Sequence, residues 1–350
     1  MNIYKYIVDK YNHDYDTSLT ICEDVQFRLP RIDCDNNIIT VNRSTVLQLV
    51  LYYYSTPDMC HLYRLIYGLY EYGYYDECQE LLEVFEKSFD SSRDELEHYV
   101  LTDPQWITTQ MLFIILHELA HYSMHRDNEF LKLQLDLCKT KLKTQDFLIG
   151  NQLIKLLYKP YIRKYISDEM ILEEFGADLF AFNYLSSTIF DVGCHESLIA
   201  ILCATSMGSV FFLEYISRIE RLYFNPPISN NYKRVYNNYK REWEYSVQNR
   251  IRVLLMDKTI REFWKTYPVE DSYCLYNSLL APVVERCNQS INVDLHRFVT
   301  PYHRLLRVGG KVNFDFETKN QIDERIKRFD THMLSLLNKA LKEHNCEYCV

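Results

Sequence analysis

Two histidines and a glutamate stand close together in the segment His117-Glu118-Leu119-Ala120-His121. On an α-helix, residues four apart share a face and lie about 6 Å apart along the axis, so His117 and His121 could bind one metal ion. Glu118 is rotated by about 100° from His117, which puts its carboxylate beside the ion rather than on it. A carboxylate there can accept a proton from water activated by a metal. The spacing therefore indicates a metal site with an adjacent general base.

A third metal ligand has two possible sources. His125 follows His121 by four positions, but on a straight helix it lies about 12 Å along the axis from His117. Metal bonds of about 2 Å cannot span that distance, so His125 is expected at the helix end or at the rim of the site. Glu174 and Asp178 are four apart in a second helical pattern. They share a face, so one can bind the metal while the other accepts the distal N–H of a ligating histidine.

Together, the segments HELAH and EFGADLFA are similar to those of the gluzincin zinc metallopeptidases, which pair an HExxH with an ExxxD motif. The second segment looks most like that of the CAAX-prenyl endopeptidase group and its soluble bacterial relatives. HELAHYSMH also resembles the ImmA-type peptidases that cleave phage repressors, and phage-exclusion peptidases with HExxH are a further conceivable relative. The resemblance implies that His117, His121 and Glu174 bind Zn²⁺, that Glu118 is the general base and that Asp178 orients His117.

These residues favour a soluble, cytoplasmic zinc metalloendopeptidase, a hydrolase that acts on a protein or peptide substrate and selects few targets. Such an enzyme needs a donor for the oxyanion that forms during amide hydrolysis. The candidates are Tyr302 and His303, or Tyr236 and Tyr239, but the residue types select none of them, since the chain has 30 tyrosines. The strand-like segment NNIITVN could bind an extended substrate along its edge.

Three other functions compete with this interpretation. A zinc-stabilised scaffold or binding protein would use the metal only to brace its fold. A membrane-associated peptidase would use the uncharged run 197–213, but this run is at the short limit for a membrane span and has no basic flank, so a buried central helix is favoured. The segment YKRVYNNYKREW interleaves basic and aromatic residues, as some nucleic-acid-binding segments do, yet a solvated helix face is favoured there.

Composition narrows the class of protein. Hydrophobic residues at 47% and charged residues at 25% exclude a disordered or fibrous chain. A net charge of −9 disfavours a protein that binds nucleic acid over its whole surface. Eleven irregularly spaced cysteines and the absence of an apolar N-terminal signal predict reduced thiols in the cytoplasm. The CxxC of Cys346 and Cys349 has no second pair and is expected to be free, because a closed zinc site needs four ligands.

The sequence patterns around the site residues predict a mainly α fold. This fold has a helical zinc-peptidase core, a small antiparallel β element and flanking helical hairpins. Three regions are expected: a β-hairpin and helical hairpin in 1–100, the core in 101–225, and a helical region in 226–350 with a hairpin near 303–316. The three regions could also form one domain. Gly176 and Ala177 are small and would let the second site helix approach the first closely.

Residue patterns also predict the individual elements. Strands are expected for QFRLPRID and NNIITVN, on either side of a turn at 34–37. Pro104 is expected in the first turn of the HExxH helix. Predicted helices span 59–72 and 76–90 with Gly73 between them, 104–124, 140–160, 168–188, 195–224, 230–256 and 272–288, and a last helix carries an apolar face from Ile322 to Leu341.

Overall fold

The computed structural model is mainly helical and has one small β-sheet, as the sequence predicts. It describes residues 3–24, 30–42, 45, 48–49, 51–52, 57–71, 73–87, 104–145, 147–148, 152–191, 196–224, 232–266, 274, 276–281, 283–284 and 316–343. The helices are α1 (Ile3–Tyr15), α2 (Pro57–Glu71), α3 (75–87), α4 (Pro104–Arg126), α5 (Asn128–Thr144), α6 (Gln152–Tyr165), α7 (Glu169–Asp191), α8 (Glu196–Phe224), α9 (Tyr232–Thr266) and α10 (Phe316–Glu343). The strands are β1 (Thr20–Asp24), β2 (Arg31–Asp33) and β3 (Ile38–Asn42).

The HExxH helix, α4, lies at the centre of the described structure. It begins at Pro104, as expected for a proline in the first turn of a helix. Residues 111–117 are all buried, because α4 packs against α5, α7, α8 and strand β2. A helix that is apolar on nearly every side has to be enclosed in this way. The two histidines therefore stand on a helix that is enclosed by several other described elements.

Helix α7, which carries the second site segment, packs most extensively on α4 and next on α5. Its Ala177 belongs to the main core with residues of α4, whereas Phe175 and Leu179 belong to a second core with residues of α5, α6 and α9. Gly176 serves a different contact from the one expected. A Cβ atom at Gly176 would lie 3.1 Å from Cβ of Gln134 on α5, so this glycine permits the close approach of α5 rather than α4.

The sheet has the strand order β1-β3-β2. The predicted hairpin is confirmed, because β2 and β3 pair antiparallel around the turn at 34–37. Asp33 begins this turn by accepting the backbone N–H groups of Asp35 and Asn36 at 3.1 Å, and Asn37 completes it with a φ of 55°. The expectation that the β element is antiparallel throughout is wrong in one respect. Strand β1 pairs parallel with β3, so the sheet is mixed. Of QFRLPRID, only the part from Arg31 forms a described strand.

Several helix predictions need correction. The predicted helix 140–160 is wrong, because α5 ends at Thr144, where Gln145 takes a left-handed conformation, and α6 begins only at Gln152. Asp127 is the signal that was missed for the start of α5, since its side chain accepts the N–H groups of Glu129 and Phe130. Helix α1 was also not predicted, although its Tyr4, Ile7, Val8 and Tyr11 recur at helical spacing and are buried.

Other helix predictions are confirmed with shifted ends. The helical hairpin of α2 and α3 turns at Gly73, whose φ of 78° favours glycine. Helix α9 runs on to Thr266, beyond the expected end at 256, and contains the segment YKRVYNNYKREW. Residues 274, 276–281 and 283–284 are helical, as predicted for 272–288. Residues 303–315 of the predicted hairpin lie outside the described residues, and helix α10 begins at Phe316. The CxxC also lies outside the described residues.

Helix α8 contains the apolar run singled out in the sequence. Among the described residues, one segment, Ile199–Ser217, is long and apolar enough to cross a membrane by length and composition. In the fold, 83% of this window is buried. The run therefore forms a core helix beside α4, as the buried-helix interpretation expects.

Candidate metal centre

Helix α4 presents His117 and His121 on one face, one turn apart. Their Nε2 atoms lie 3.2 Å from each other, and the rings meet edge to face. His117 is buried, and burial together with the neighbouring His117 lowers the pKa of His121 to about 4. At neutral pH the His121 ring is therefore uncharged and has a lone pair available for a metal ion.

Glu174 on α7 brings the third donor to this pair. Its Oε2 lies 3.6 Å from Nε2 of His117, and its Oε1 lies 3.5 Å from Nε2 of His121. Burial raises the pKa of Glu174, but Arg252 and the two histidines outweigh that effect and lower it, so the carboxylate is charged. All three donor atoms lie within 4.8 Å of one another. The group His117, His121 and Glu174 could therefore hold a metal ion.

The spacing of these donors can be compared with known coordination geometry. Two ligand atoms that bind a tetrahedral metal ion at about 2 Å are separated by about 3.3 Å. The two Nε2 atoms are 3.2 Å apart, and each histidine lies 3.5 to 3.6 Å from a different oxygen of Glu174, while one oxygen and the two nitrogens together lie within 4.8 Å. Two imidazoles and one carboxylate also form a usual donor set for a divalent transition metal. The residues present thus fit the group that the sequence implies.

Asp178 lies one turn after Glu174 and contacts the far side of His117. Nδ1 of His117 is 3.0 Å from Oδ1 of Asp178, and both side chains are buried. Burial raises the pKa of Asp178, but Arg252 and His117 together lower it to about 2. The pKa of His117 is lowered by burial and raised by the hydrogen bond to Asp178, with a net increase. Asp178 is therefore a charged acceptor that directs the Nε2 lone pair of His117 away from itself.

Arg252 on α9 belongs to the same cluster and was not predicted from the sequence. Its Nη2 donates to Oδ1 of Asp178 at 2.8 Å, its Nε donates to Oδ2, and its Nη1 lies 3.5 Å from Oε2 of Glu174. The arginine side chain is only 7% exposed. The sequence carried only a weak signal for Arg252. This arginine stands four residues before Met256 on a buried face of α9, and a charged side chain on such a face requires a buried partner.

Glu118 is not one of the three clustered donors. It faces a cleft of about 410 Å³ that His121 borders. Burial raises the pKa of Glu118 to about 7 in the absence of a metal ion, with a smaller opposing effect from His117. A carboxylate with a pKa near neutrality can both accept and return a proton at physiological pH. The cleft is lined by Ile32, Cys34, Glu118, His121, Tyr122, Met124, His125, Asn128, Leu131 and Glu173.

The remaining candidates divide between the cleft and the undescribed parts of the chain. His125 stands exposed in the last turn of α4 and lines the cleft, outside the donor group, as expected. Tyr302 and His303 lie outside the described residues, and for Tyr236 and Tyr239 only the helical backbone of α9 is described. The edge predicted for NNIITVN is wrong, because this segment forms the central strand β3. Within the described sheet, strand β2 lies at an edge, and its Ile32 lines the cleft.

Comparison of the chain with models of known protein families, with curated proteins and with solved structures finds no significant match. The likeness to zinc peptidases therefore rests on the residues of the two site helices.

Proposed function

We propose that the chain is a zinc-dependent endopeptidase. The observation that carries the proposal is the cluster of three donors, His117, His121 and Glu174, whose ligand atoms lie within 4.8 Å of one another. Zinc suits two imidazoles and a carboxylate, and the pairing of HExxH with ExxxD supports the same metal. When bound, zinc supplies a Lewis acid that polarises the substrate carbonyl and lowers the pKa of water.

Glu118 supplies the proton transfers in this proposal. Its carboxylate accepts a proton from the attacking water while the oxygen forms a bond to the peptide carbonyl carbon. It then returns that proton to the amide nitrogen as the carbon–nitrogen bond breaks, so the residue ends in its starting state. Asp178 holds His117 in the orientation that its metal contact requires.

The cleft beside Glu118 favours a peptide as the substrate. Strand β2 is an edge strand of the described sheet, and its Ile32 is one of the residues that line the cleft. An extended peptide that pairs with an edge strand presents its backbone along that strand. The apolar lining residues Met124 and Leu131 would contact its side chains. We therefore take a protein or peptide segment in extended conformation as the substrate class.

The test compares Glu118→Gln with His117→Ala in the full chain. Glu118→Gln keeps the size of the side chain and removes the base, so zinc content and melting temperature should stay near those of the wild type while cleavage falls by at least about 10²-fold. His117→Ala should lose zinc, activity and stability together, because metal binding contributes to folding. Cleavage is measured as new protein N-termini in cells that express each variant.

The same two variants also test the scaffold alternative. A protein that uses zinc only to brace its fold would keep its cellular function in Glu118→Gln and lose it in His117→Ala. Undiminished formation of new N-termini by Glu118→Gln would contradict the peptidase proposal.

A further inference from the structure

Arg252 binds the carboxylate that orients a metal ligand and also lies close to another ligand. Its guanidinium donates to both carboxylate oxygens of Asp178, and Nη1 lies 3.5 Å from Glu174. Such a two-point contact fixes the plane of a carboxylate, which a single charge cannot do. Oδ1 of Asp178 accepts from Nη2 of Arg252 at 2.8 Å and faces Nδ1 of His117 at 3.0 Å.

The position of Asp178 then determines the state of His117. A charged carboxylate only accepts hydrogen bonds, so His117 must donate to it through Nδ1. The lone pair of that imidazole is consequently on Nε2, which faces His121 and Glu174. Helix α9 thus contributes to the geometry of a site whose ligands all belong to α4 and α7.

Stability alone accounts poorly for a buried arginine at this place. A buried ion pair is often no more stabilising than apolar side chains of similar size, whereas one partner left without the other costs several kcal/mol. Asp178 accepts from Arg252 through both carboxylate oxygens and also contacts His117, and Oε2 of Glu174 lies 3.5 Å from the same guanidinium. Arg252, which belongs to helix α9, supplies the positive charge that compensates these two carboxylates of helix α7. Its Nε and Nη2 donate to Asp178, its Nη1 forms an ion pair with Glu174, and it is not among the residues that line the cleft.

We propose that Arg252 is a positioning residue of the metal site, which acts through Asp178 to hold the donors in their metal-binding arrangement before the metal arrives. The proposal rests on the metal-binding part of the proposed function and is independent of peptidase activity. It predicts that Arg252 matters for metal affinity and not only for folding.

The experiment measures zinc affinity by chelator competition for Arg252→Lys and Arg252→Met in the full chain. Lysine keeps the charge but cannot reproduce the two-point contact, so both variants should bind zinc about 10- to 100-fold more weakly. Arg250→Met is the matched control, because Arg250 is exposed on the same helix and should leave zinc affinity unchanged. The visible absorption of bound Co²⁺ should change in the Arg252 variants only, since it reports ligand geometry.

A double variant separates positioning from folding. Arg252→Met leaves Asp178 buried without its partner and could unfold the chain, whereas Arg252→Met combined with Asp178→Asn removes both charges. If Arg252 acts through Asp178, the loss of zinc affinity in the double variant should be close to that of Asp178→Asn alone. Fully additive losses would overturn the proposal. Wild-type zinc affinity in Arg252→Lys would overturn it as well, even with a lowered melting temperature.

Failure of this proposal is distinct from failure of the proposed function. A wild-type chain that binds no zinc would contradict the metal site itself. If the Arg252 variants bind zinc as tightly as the wild type, only the role of Arg252 is contradicted. The cleavage assays on Glu118→Gln do not depend on that result.

Discussion

Nδ1 of His117 lies 3.0 Å from Oδ1 of Asp178, across the interface between helices α4 and α7. The contact joins the HExxH segment to the second site segment through a residue that is not itself a metal donor. Metal-ligating histidines commonly donate their second N–H to such a carboxylate, which fixes the ring and raises its basicity. The contact therefore makes the candidate metal site depend on the packing of these two helices.

The first prediction concerns this contact. Asp178→Asn keeps the shape of the side chain but removes the charge that His117 and Arg252 share, so zinc affinity should fall about 10- to 100-fold. The measurement is chelator competition on purified protein. Asp136→Asn, on the exposed face of α5, is the control and should bind zinc normally. Equal zinc affinity in the wild type and in Asp178→Asn would remove Asp178 from the site.

The second prediction distinguishes two neighbouring glutamates. Glu174 contributes an oxygen to the donor group, while Glu173 lines the cleft next to it. Glu174→Gln should lose zinc because an amide oxygen is a much weaker ligand than a carboxylate, and Glu173→Gln should keep it. Metal analysis after gel filtration decides between them. Zinc loss in Glu173→Gln with retention in Glu174→Gln would mean that the rotation of α7 is misassigned.

The third prediction tests the histidine at the end of α4. His125 is exposed and lies outside the donor group. His125→Ala should therefore retain one zinc per chain with unchanged affinity, while His121→Ala should lose it. A stoichiometric loss of zinc in His125→Ala would show that the helix bends to include this residue.

The fourth prediction concerns the support behind the HExxH helix. The hydroxyl of Tyr11 on α1 donates to the carbonyl oxygen of Leu119 at 2.9 Å and contacts the hydroxyl of Ser123. Tyr11→Phe should lower the free energy of unfolding by about 1 kcal/mol, the usual value of such a bond, and leave zinc affinity unchanged. Denaturant unfolding measures the effect, with Tyr6→Phe as the exposed control on the same helix. Equal unfolding midpoints for the wild type and Tyr11→Phe would contradict it.

The fifth prediction addresses the membrane alternative. Most of the apolar segment Ile199–Ser217 is buried in the fold. The expressed chain should therefore remain in the aqueous phase when a cell lysate is partitioned with a phase-separating detergent. Phase partition in a detergent solution provides the measurement. Recovery in the detergent phase would favour the membrane-associated peptidase.

Local patterns were sufficient to pair the two histidines of the candidate metal site. Residues four apart on a helix share a face whatever the rest of the chain does, so His117 and His121 could be paired before the fold was known. The same repeat put His125 beyond the reach of the pair, and in the structure His125 lies outside the donor group. Glu118 lines a cleft together with His121. Helix ends were harder to predict, since the cap at Asp127 and the left-handed Gln145 depend on single residues.

Only the tertiary structure decided which carboxylate faces the donors. Glu174 and Asp178 share a face of α7, and their spacing leaves either one free to be the ligand, so the packing of α7 on α4 had to select Glu174. The tertiary structure also decided that Arg252 of helix α9 contacts the site. It decided as well that β3 is the central strand of the described sheet and not an edge strand. Helical periodicity acts over a few residues, whereas these choices depend on contacts between segments far apart in the chain, where many packings compete and the buried charges have to find partners.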